Sequence, residues 1–174
     1  MQVNNLLAGK EVFKPFWLPS QDLLPCMIWN TKSFDDLTKT ELYGLLQVRA
    51  EVFVVEQNCP YQDIDDKDMR CIHLWAEDEK RNILAYCRLL PEGISYKEPS
   101  IGRVLTSSRG RKNGIGRLLM QKAVTYIGEQ WKAPVIRISA QLYLLKFYSE
   151  LGFEQVGEPY PEDNIPHIEM QREG

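Results

Sequence analysis

The spacing of hydrophobic residues predicts alternating strands and helices from residue 27 onward. Seven short apolar runs have the length and composition of β-strands: 27–33, 70–77, 82–90, 100–106, 135–139, 153–157 and 165–170. Apolar residues at helical spacing predict one helix after Thr38, a second from Gly114 and a shorter third over about 141–151. This order predicts an α/β fold, with a mixed sheet of about six to seven strands and helices on both faces.

The first predicted helix carries two opposite charges on its apolar face. Thr38 and Glu41 form a T-x-x-E capping box at its start. Arg49 and Glu56 lie seven residues apart on the leucine-rich stripe, and seven residues return to nearly the same face of an α-helix. Charges on a buried face need partners. We therefore expect Glu56 either to pair with Arg49 or to serve a functional site.

Residues 1–26 differ from the rest of the chain. They show no clear periodicity and contain Pro15, Pro19 and Pro25, so they are predicted to be an N-terminal arm or extension before a single domain over 27–174. The same prolines, with Lys10, interrupt anything resembling the apolar core of a signal peptide. No apolar run reaches the roughly 20 residues of a membrane helix, so no membrane partner is expected.

Composition narrows the classes of function. The net charge of −3 gives no basic surplus, which argues against nucleic acid as a partner. Four cysteines without a C-x-x-C pair, and only two histidines, argue against a metal site. Reduced thiols are the simplest reading of these cysteines and predict a cytoplasmic protein.

The segment 101–116 has the features of an anion site. A strand leads through a basic, glycine-containing turn to a helix start, where free N–H groups and the helix dipole favour negative charge. Gly114 and Gly116 let a phosphate approach the backbone, and Arg109, Arg111 and Lys112 add positive charge. The spacing fits neither a Walker loop nor a Rossmann fingerprint.

Two motifs and the element order resemble the GNAT acetyltransferases. Arg111-x-x-Gly114-x-Gly116 resembles the family's pyrophosphate motif, [QR]-x-x-G-x-[GA], and the run from Phe147 to Phe153 resembles its second motif, [FL]-Y-x-x-x-G-F. In the first half, the R-x-x-V-F-x-x-E-Q pattern from Arg49 is similar to the ElaA-like branch of the family.

The resemblance implies acetyl-CoA as cosubstrate and direct transfer of the acetyl group to an amine, without a metal. It implies that Tyr148 protonates the leaving thiolate. Gln141 lies where the family usually has asparagine. The residues implied in coenzyme binding are Arg103, Val104 and Leu105 on the strand, Arg109, Arg111, Lys112, Asn113, Gly114, Ile115 and Gly116 at the turn, and Gln141. The acceptor would be a small-molecule or peptide amine, and a homodimer is left open.

The base that deprotonates the amine has two candidates. Glu56 is the first, with an ion pair to Arg49 as its alternative. His73 is the second, because histidine titrates near neutrality, and a hydrogen-bonded, half-buried histidine is its alternative. The aspartates of the following loop are expected to form a solvated face: Asp63, Asp65, Asp66 and Asp68.

Two other functions are consistent with the same motifs. An acyl-homoserine-lactone synthase shares the fold and a similar first helix, but it needs an acyl-chain pocket. A regulatory module could also bind acyl-CoA without catalysis.

Overall fold

A computed structural model describes residues 27–173; the predicted N-terminal arm lies outside the described residues. The strands are β1 (Ile28–Ser33), β2 (Ile72–Glu77), β3 (Ile83–Leu90), β4 (Ser100–Thr106), β5 (Val135–Gln141), β6 (Glu154–Glu162) and β7 (Ile165–Glu173). The helices are α1 (Lys39–Arg49), α2 (Ile115–Tyr126) and α3 (Leu145–Ser149). The predicted fold class and element order are confirmed. Among residues 27–173, no helix has the length and apolar content needed to span a membrane.

All seven strands join one mixed sheet. Its spatial order is β1-β2-β3-β4-β5-β7-β6, and every neighbouring pair is antiparallel except β4 and β5. The connection from β4 to β5 runs through α2, which returns the chain to the same end of the sheet and makes these two strands parallel.

Alternating side chains on the strands give the sheet two apolar faces. On β2, Trp75 packs in the cluster that includes Leu45 and Val48 of α1, while its neighbours Leu74 and Ala76 pack with α2. The predicted capping box fixes the start of α1, since the Thr38 hydroxyl accepts from the Glu41 N–H and the Glu41 carboxylate accepts from the Thr38 N–H. The helices therefore cover opposite faces, as predicted.

A bulge in β4 changes which face its residues present. Tyr86 of β3 pairs with Leu105 and Arg88 pairs with Gly102, so two steps along β3 match three along β4. Arg103 takes up the extra residue with a left-handed φ of 52°. The extra residue inverts the alternation, so that Ile101 packs on the α2 face and Leu105 on the α1 face.

Candidate active site

The parallel strands β4 and β5 separate soon after they meet. Within residues 27–173 they share a single ladder pair, Ser100 with Arg137, supported by the Arg137 N–H, which donates to the Pro99 carbonyl over 3.0 Å. Beyond this point a cleft of about 350 Å³ opens between the strands. We call it the splay cleft; it is lined by Gly102, Arg103 and Val104 of β4, Ser139 and Gln141 of β5, and His167 of β7, among others.

A second cleft, of about 420 Å³, lies along the glycine-containing turn. We call it the turn cleft; it is lined by Val104, Leu105 and Thr106 of β4, by Gly110, Arg111, Lys112, Gly114, Ile115, Gly116 and Arg117, and by Leu144, Phe147 and Tyr148. The start of α2 therefore meets the end of β4 at one concave surface, as a phosphate-binding turn requires.

Tyr148 lies where the two clefts meet. Its side chain lines both clefts, as do Val104 and Leu144, although only 5% of its surface is exposed. Burial raises the pKa of the Tyr148 hydroxyl above its usual value, so the group holds its proton at neutral pH. Its hydroxyl makes no hydrogen bond with any described residue. The geometry therefore leaves a protonated hydroxyl free at the junction.

Two glycines shape the turn. Gly114 caps α2 with a left-handed φ of 69°, and no atom lies within 4 Å of the position that a Cβ would take there. The space in front of the helix start is therefore open to a ligand. Gly110 has a different role, because a Cβ there would overlap the Leu84 carbonyl. This glycine lets the turn pack directly on β3, which the glycine spacing alone does not predict.

Seven of the eleven residues expected to bind the coenzyme line the turn cleft: Val104, Leu105, Arg111, Lys112, Gly114, Ile115 and Gly116. Arg103 and Gln141 line the splay cleft instead. Arg109 and Asn113 are exposed and, within the described chain, line neither cleft.

Arg117, which the motif did not single out, also lines the turn cleft. Its guanidinium pairs with Glu150 over 2.5 Å and lies over the Phe147 ring.

Glu56 does not share the buried face of Arg49. The chain continues from α1 as a π-helical segment, Ala50–Glu56, whose i→i+5 hydrogen bonds put more residues into each turn than an α-helix has. Seven residues then no longer return to the same face. Glu56 is exposed and pairs with Arg111 of the glycine turn. The alternative pairing of Glu56 with Arg49 is therefore wrong. Among residues 27–173 Glu56 lines neither cleft, and its role on the acceptor side stays a prediction.

Arg49 is instead enclosed by the loop that follows. Its side chain is fully buried, its Nε donates to Asp63 over 2.9 Å, and its Nη1 donates to Asp68 over 2.6 Å. Burial alone would lower the pKa of Arg49, but the charges around it and its hydrogen bond to Asp68 raise that pKa above its usual value. The expectation that these aspartates form a solvated face is wrong for Asp63 and Asp68, which are both buried.

Two further arginines extend this pair into a cluster of three cations and three carboxylates. Arg88 of β3 holds Asp65 through two hydrogen bonds of 2.7 and 2.8 Å and also reaches Asp68 over 2.8 Å. Arg103, at the β4 bulge, donates to Asp63 over 2.7 Å. The cluster therefore ties loop 63–68 to α1, β3 and the bulge. Removing one partner from such a buried pair typically costs about 3–5 kcal/mol.

His73 is enclosed within β2, with 1% of its surface exposed. Its Nε2 donates to the Asp68 carbonyl over 3.0 Å, because a carbonyl only accepts, and its Nδ1 accepts from the Tyr86 hydroxyl over 2.9 Å. Burial lowers the pKa of His73 below its usual value. Both ring nitrogens are occupied, and among the described residues His73 is not part of either cleft wall. The expectation of His73 as an acceptor-site base is therefore replaced by the structural alternative.

Gln141 faces the splay cleft from the end of β5. Its amide nitrogen donates to Gln57 over 3.1 Å, and its oxygen accepts from the Tyr143 hydroxyl over 2.5 Å. It thus joins the residue that follows the π-helical segment after α1 to the turn before α3. His167, its ladder partner on β7, also lines the splay cleft. No sequence motif marks His167, because strand pairing alone brings it to the site.

Comparison with known proteins assigns the chain to a family. A family model described as "Acetyltransferase (GNAT) domain" matches residues 35–173. The chain belongs to the GNAT acetyltransferase family. Protein ElaA of Escherichia coli is 42% identical over 149 residues, which cover 83% of this chain and 95% of ElaA. The expected ElaA-like branch of the GNAT family is thereby confirmed.

Solved structures agree with this assignment. The crystal structure of Escherichia coli ElaA superposes with a TM-score of 0.79 at 38% identity, covering 84% of this chain and 99% of ElaA. An acyl-CoA N-acyltransferase from Pseudomonas aeruginosa gives a TM-score of 0.78 at 44% identity, covering 83% of this chain and 99% of that protein. The acyl-homoserine-lactone synthase BjaI, at 16% identity and a TM-score of 0.68 over 84% of this chain and 83% of BjaI, shares the fold alone.

Proposed function

We propose that this GNAT acyltransferase is an N-acetyltransferase that moves the acetyl group of acetyl-CoA directly to a primary amine. The observation that carries the proposal is the position of Tyr148 at the junction of two clefts. One cleft has the chemistry of a diphosphate site and the other is polar and open between strands. A reaction between two bound substrates requires their reacting atoms to meet at such a junction.

The turn cleft fits the diphosphate of coenzyme A. Gly114 leaves open space before the start of α2, where the first-turn N–H groups have no acceptors within the helix. Arg111 and Lys112 line the same cleft with positive charge. Val104 and Leu105 lead from this turn toward Tyr148, which is the direction the pantetheine arm would follow.

In the acetyl transfer itself, β4 would provide the group that polarises the carbonyl and α3 would provide the proton donor. Acetyl-CoA supplies the activated thioester. In our proposal a backbone N–H of the Val104 segment, freed from the β3 ladder by the bulge, polarises the thioester carbonyl. Tyr148 then gives its proton to the departing sulfur. The pKa of Tyr148, raised by burial, favours this role because the hydroxyl starts the step protonated.

The splay cleft is the proposed site of the acceptor. Its lining mixes neutral polar groups such as Ser139 and Gln141 with charges of both signs, including Lys67 and Glu162. This lining suits a polar small-molecule amine or a peptide amine better than a long acyl chain. An acyl-homoserine-lactone synthase is the weaker alternative because no feature of the cleft lining favours a long acyl chain. A non-catalytic module is also weaker, because the Tyr148 hydroxyl would then have no catalytic role.

Coenzyme binding is tested by two substitutions of Gly114. Gly114→Ala and Gly114→Glu share the strain of a left-handed residue, but only the second adds a carboxylate where the diphosphate is proposed to bind. We expect acetyl-CoA to bind the Glu variant about tenfold or more weakly than the Ala variant in calorimetry. Thermal melting of both variants controls for folding. Equal dissociation constants would contradict the assignment of the turn cleft.

A further inference from the structure

His167 lines the splay cleft from β7 with one ring nitrogen already committed. Its Nδ1 lies 2.8 Å from the Ile165 carbonyl. A carbonyl oxygen only accepts, so Nδ1 carries the proton and donates it. In the neutral ring Nε2 is then the unprotonated nitrogen. No described residue hydrogen-bonds to Nε2, so its lone pair is free.

The second histidine of the chain provides an internal contrast. His73 holds its proton on Nε2, and both of its nitrogens are bonded within the core. The two histidines are therefore in opposite tautomers. Only His167 combines a position in the splay cleft with an available lone pair.

We propose that Nε2 of His167 is the general base that takes a proton from the acceptor amine. This inference rests on the proposed N-acetyltransferase function. Imidazole is the side chain most often used for such transfers. The ladder pair between His167 and Gln141 holds the ring beside the end of β5, and His167 lines the same cleft as Val104 and Tyr148.

The groups around His167 explain how its ring is held. Tyr160 of β6 stacks on the imidazole, with ring centres 6.2 Å apart and an angle of 29° between the planes. The Tyr160 hydroxyl bonds to the Ser139 hydroxyl over 2.5 Å, and Ser139 also donates to Glu162 over 3.1 Å. Besides Glu162 and His167, the hairpin formed by β6 and β7 contributes one more titratable group to the cleft lining, Asp163. Together these groups fix the ring plane and place negative charge beside an ammonium substrate.

The other side chains of the cleft are less suited to this task. Tyr61 donates its hydroxyl proton to Asp63, and burial raises the pKa of Tyr61 above its usual value. The Cys59 thiol donates to the Asp163 carbonyl over 3.3 Å. Glu162 is exposed and accepts from Ser139, which fits an ammonium-binding role better than proton abstraction.

The proposed step balances as follows. The bound ammonium first loses one proton to solvent. The resulting neutral amine attacks the thioester carbonyl carbon, so a C–N bond forms and the C–S electron pair leaves on sulfur. Nε2 of His167 takes one proton from the attacking nitrogen, and Tyr148 gives one proton to the sulfur. His167 then releases its proton to solvent and Tyr148 regains one. The products are an acetylated amine and coenzyme A, without an oxidant or metal.

Kinetics of two variants test the assignment. His167→Asn keeps an amide donor for the Ile165 carbonyl but has no basic nitrogen. We expect its single-turnover rate, with the best acceptor among polyamines, amino acids, aminoglycosides and short peptides, to fall roughly 10²–10⁴-fold. Acetyl-CoA affinity should stay within about twofold, because His167 lies outside the turn cleft. In His167→Ala, added imidazole should restore part of the rate. An unchanged rate in His167→Asn, or a loss explained by weaker acetyl-CoA binding, would overturn the inference.

An NMR experiment tests the same inference without any acceptor. Imidazole nitrogen spectra of the full chain should contain two sets of histidine signals, and His167→Asn should remove the set of the Nδ1–H tautomer. Loss of an Nε2–H set instead would overturn the proposal. If the wild type releases no coenzyme A with any amine, the proposed function fails, while the tautomer result separately decides whether His167 has a free basic nitrogen.

Discussion

At the residue scale, Tyr148 and His73 show how burial gives similar polar side chains different roles. Tyr148 is buried but keeps its hydroxyl free at the junction of two clefts. His73 is buried, and both of its ring nitrogens form hydrogen bonds with partners in the core. A sequence motif indicates the role of Tyr148. No sequence pattern shows how many hydrogen-bond partners surround a histidine on a strand.

The hydroxyl of Tyr148 can be removed without disturbing its ring contacts with Phe147 and Phe153. We expect Tyr148→Phe to bind acetyl-CoA normally and to lower kcat by roughly 10²-fold, because only the proton donor is lost. Tyr126→Phe, on α2 away from both clefts, is the matched control and should behave as wild type. Full activity of Tyr148→Phe under chemistry-limited conditions would show that another group protonates the thiolate.

At the element scale, the π-helical segment after α1 decides where Glu56 lies. Helical periodicity predicts one continuous apolar stripe through Arg49 and Glu56. This prediction holds only along α1, which ends at Arg49, and fails in the π-helical segment that follows. The hydrogen-bond shift of a π turn has no clear signature in the apolar spacing. For the same reason the partners of Arg49 could not be predicted, since they come from a loop that folds back over the helix.

The ion pair between Glu56 and Arg111 predicts that Glu56 affects the binding of acetyl-CoA and not the binding of the amine. The diphosphate must compete with the Glu56 carboxylate for Arg111, and an exposed pair of this kind contributes up to about 1 kcal/mol. Glu56→Gln should therefore tighten acetyl-CoA binding by up to about fivefold in calorimetry and leave the KM for the amine unchanged. Glu51→Gln, an exposed neighbour, controls for the change in net charge. A lower kcat/KM for the amine with unchanged acetyl-CoA affinity would return Glu56 to the acceptor side.

At the scale of the whole molecule, the order and faces of the elements follow from the sequence, while the acceptor side of the site does not. The strand runs, the capping box and the glycine turn are local patterns that the sequence locates, although β6 and β7 extend past their predicted ends to Glu162 and Glu173. The splay cleft is built from β4, β5, β7 and distant loops. Its key residue in our account, His167, is brought to the cleft by pairing with Gln141, a contact between residues that no local pattern connects.

The most direct test of the account is coenzyme A release when the purified full chain is mixed with acetyl-CoA and the amine panel. We predict amine-dependent release, with the product amine heavier by one acetyl group in mass spectrometry. At acetyl-CoA concentrations well below the wild-type Kd, release should be about tenfold or more slower in Gly114→Glu than in Gly114→Ala. No amine-dependent release from a wild type that binds acetyl-CoA would contradict the proposed N-acetyltransferase activity and favour a non-catalytic acyl-CoA-binding module.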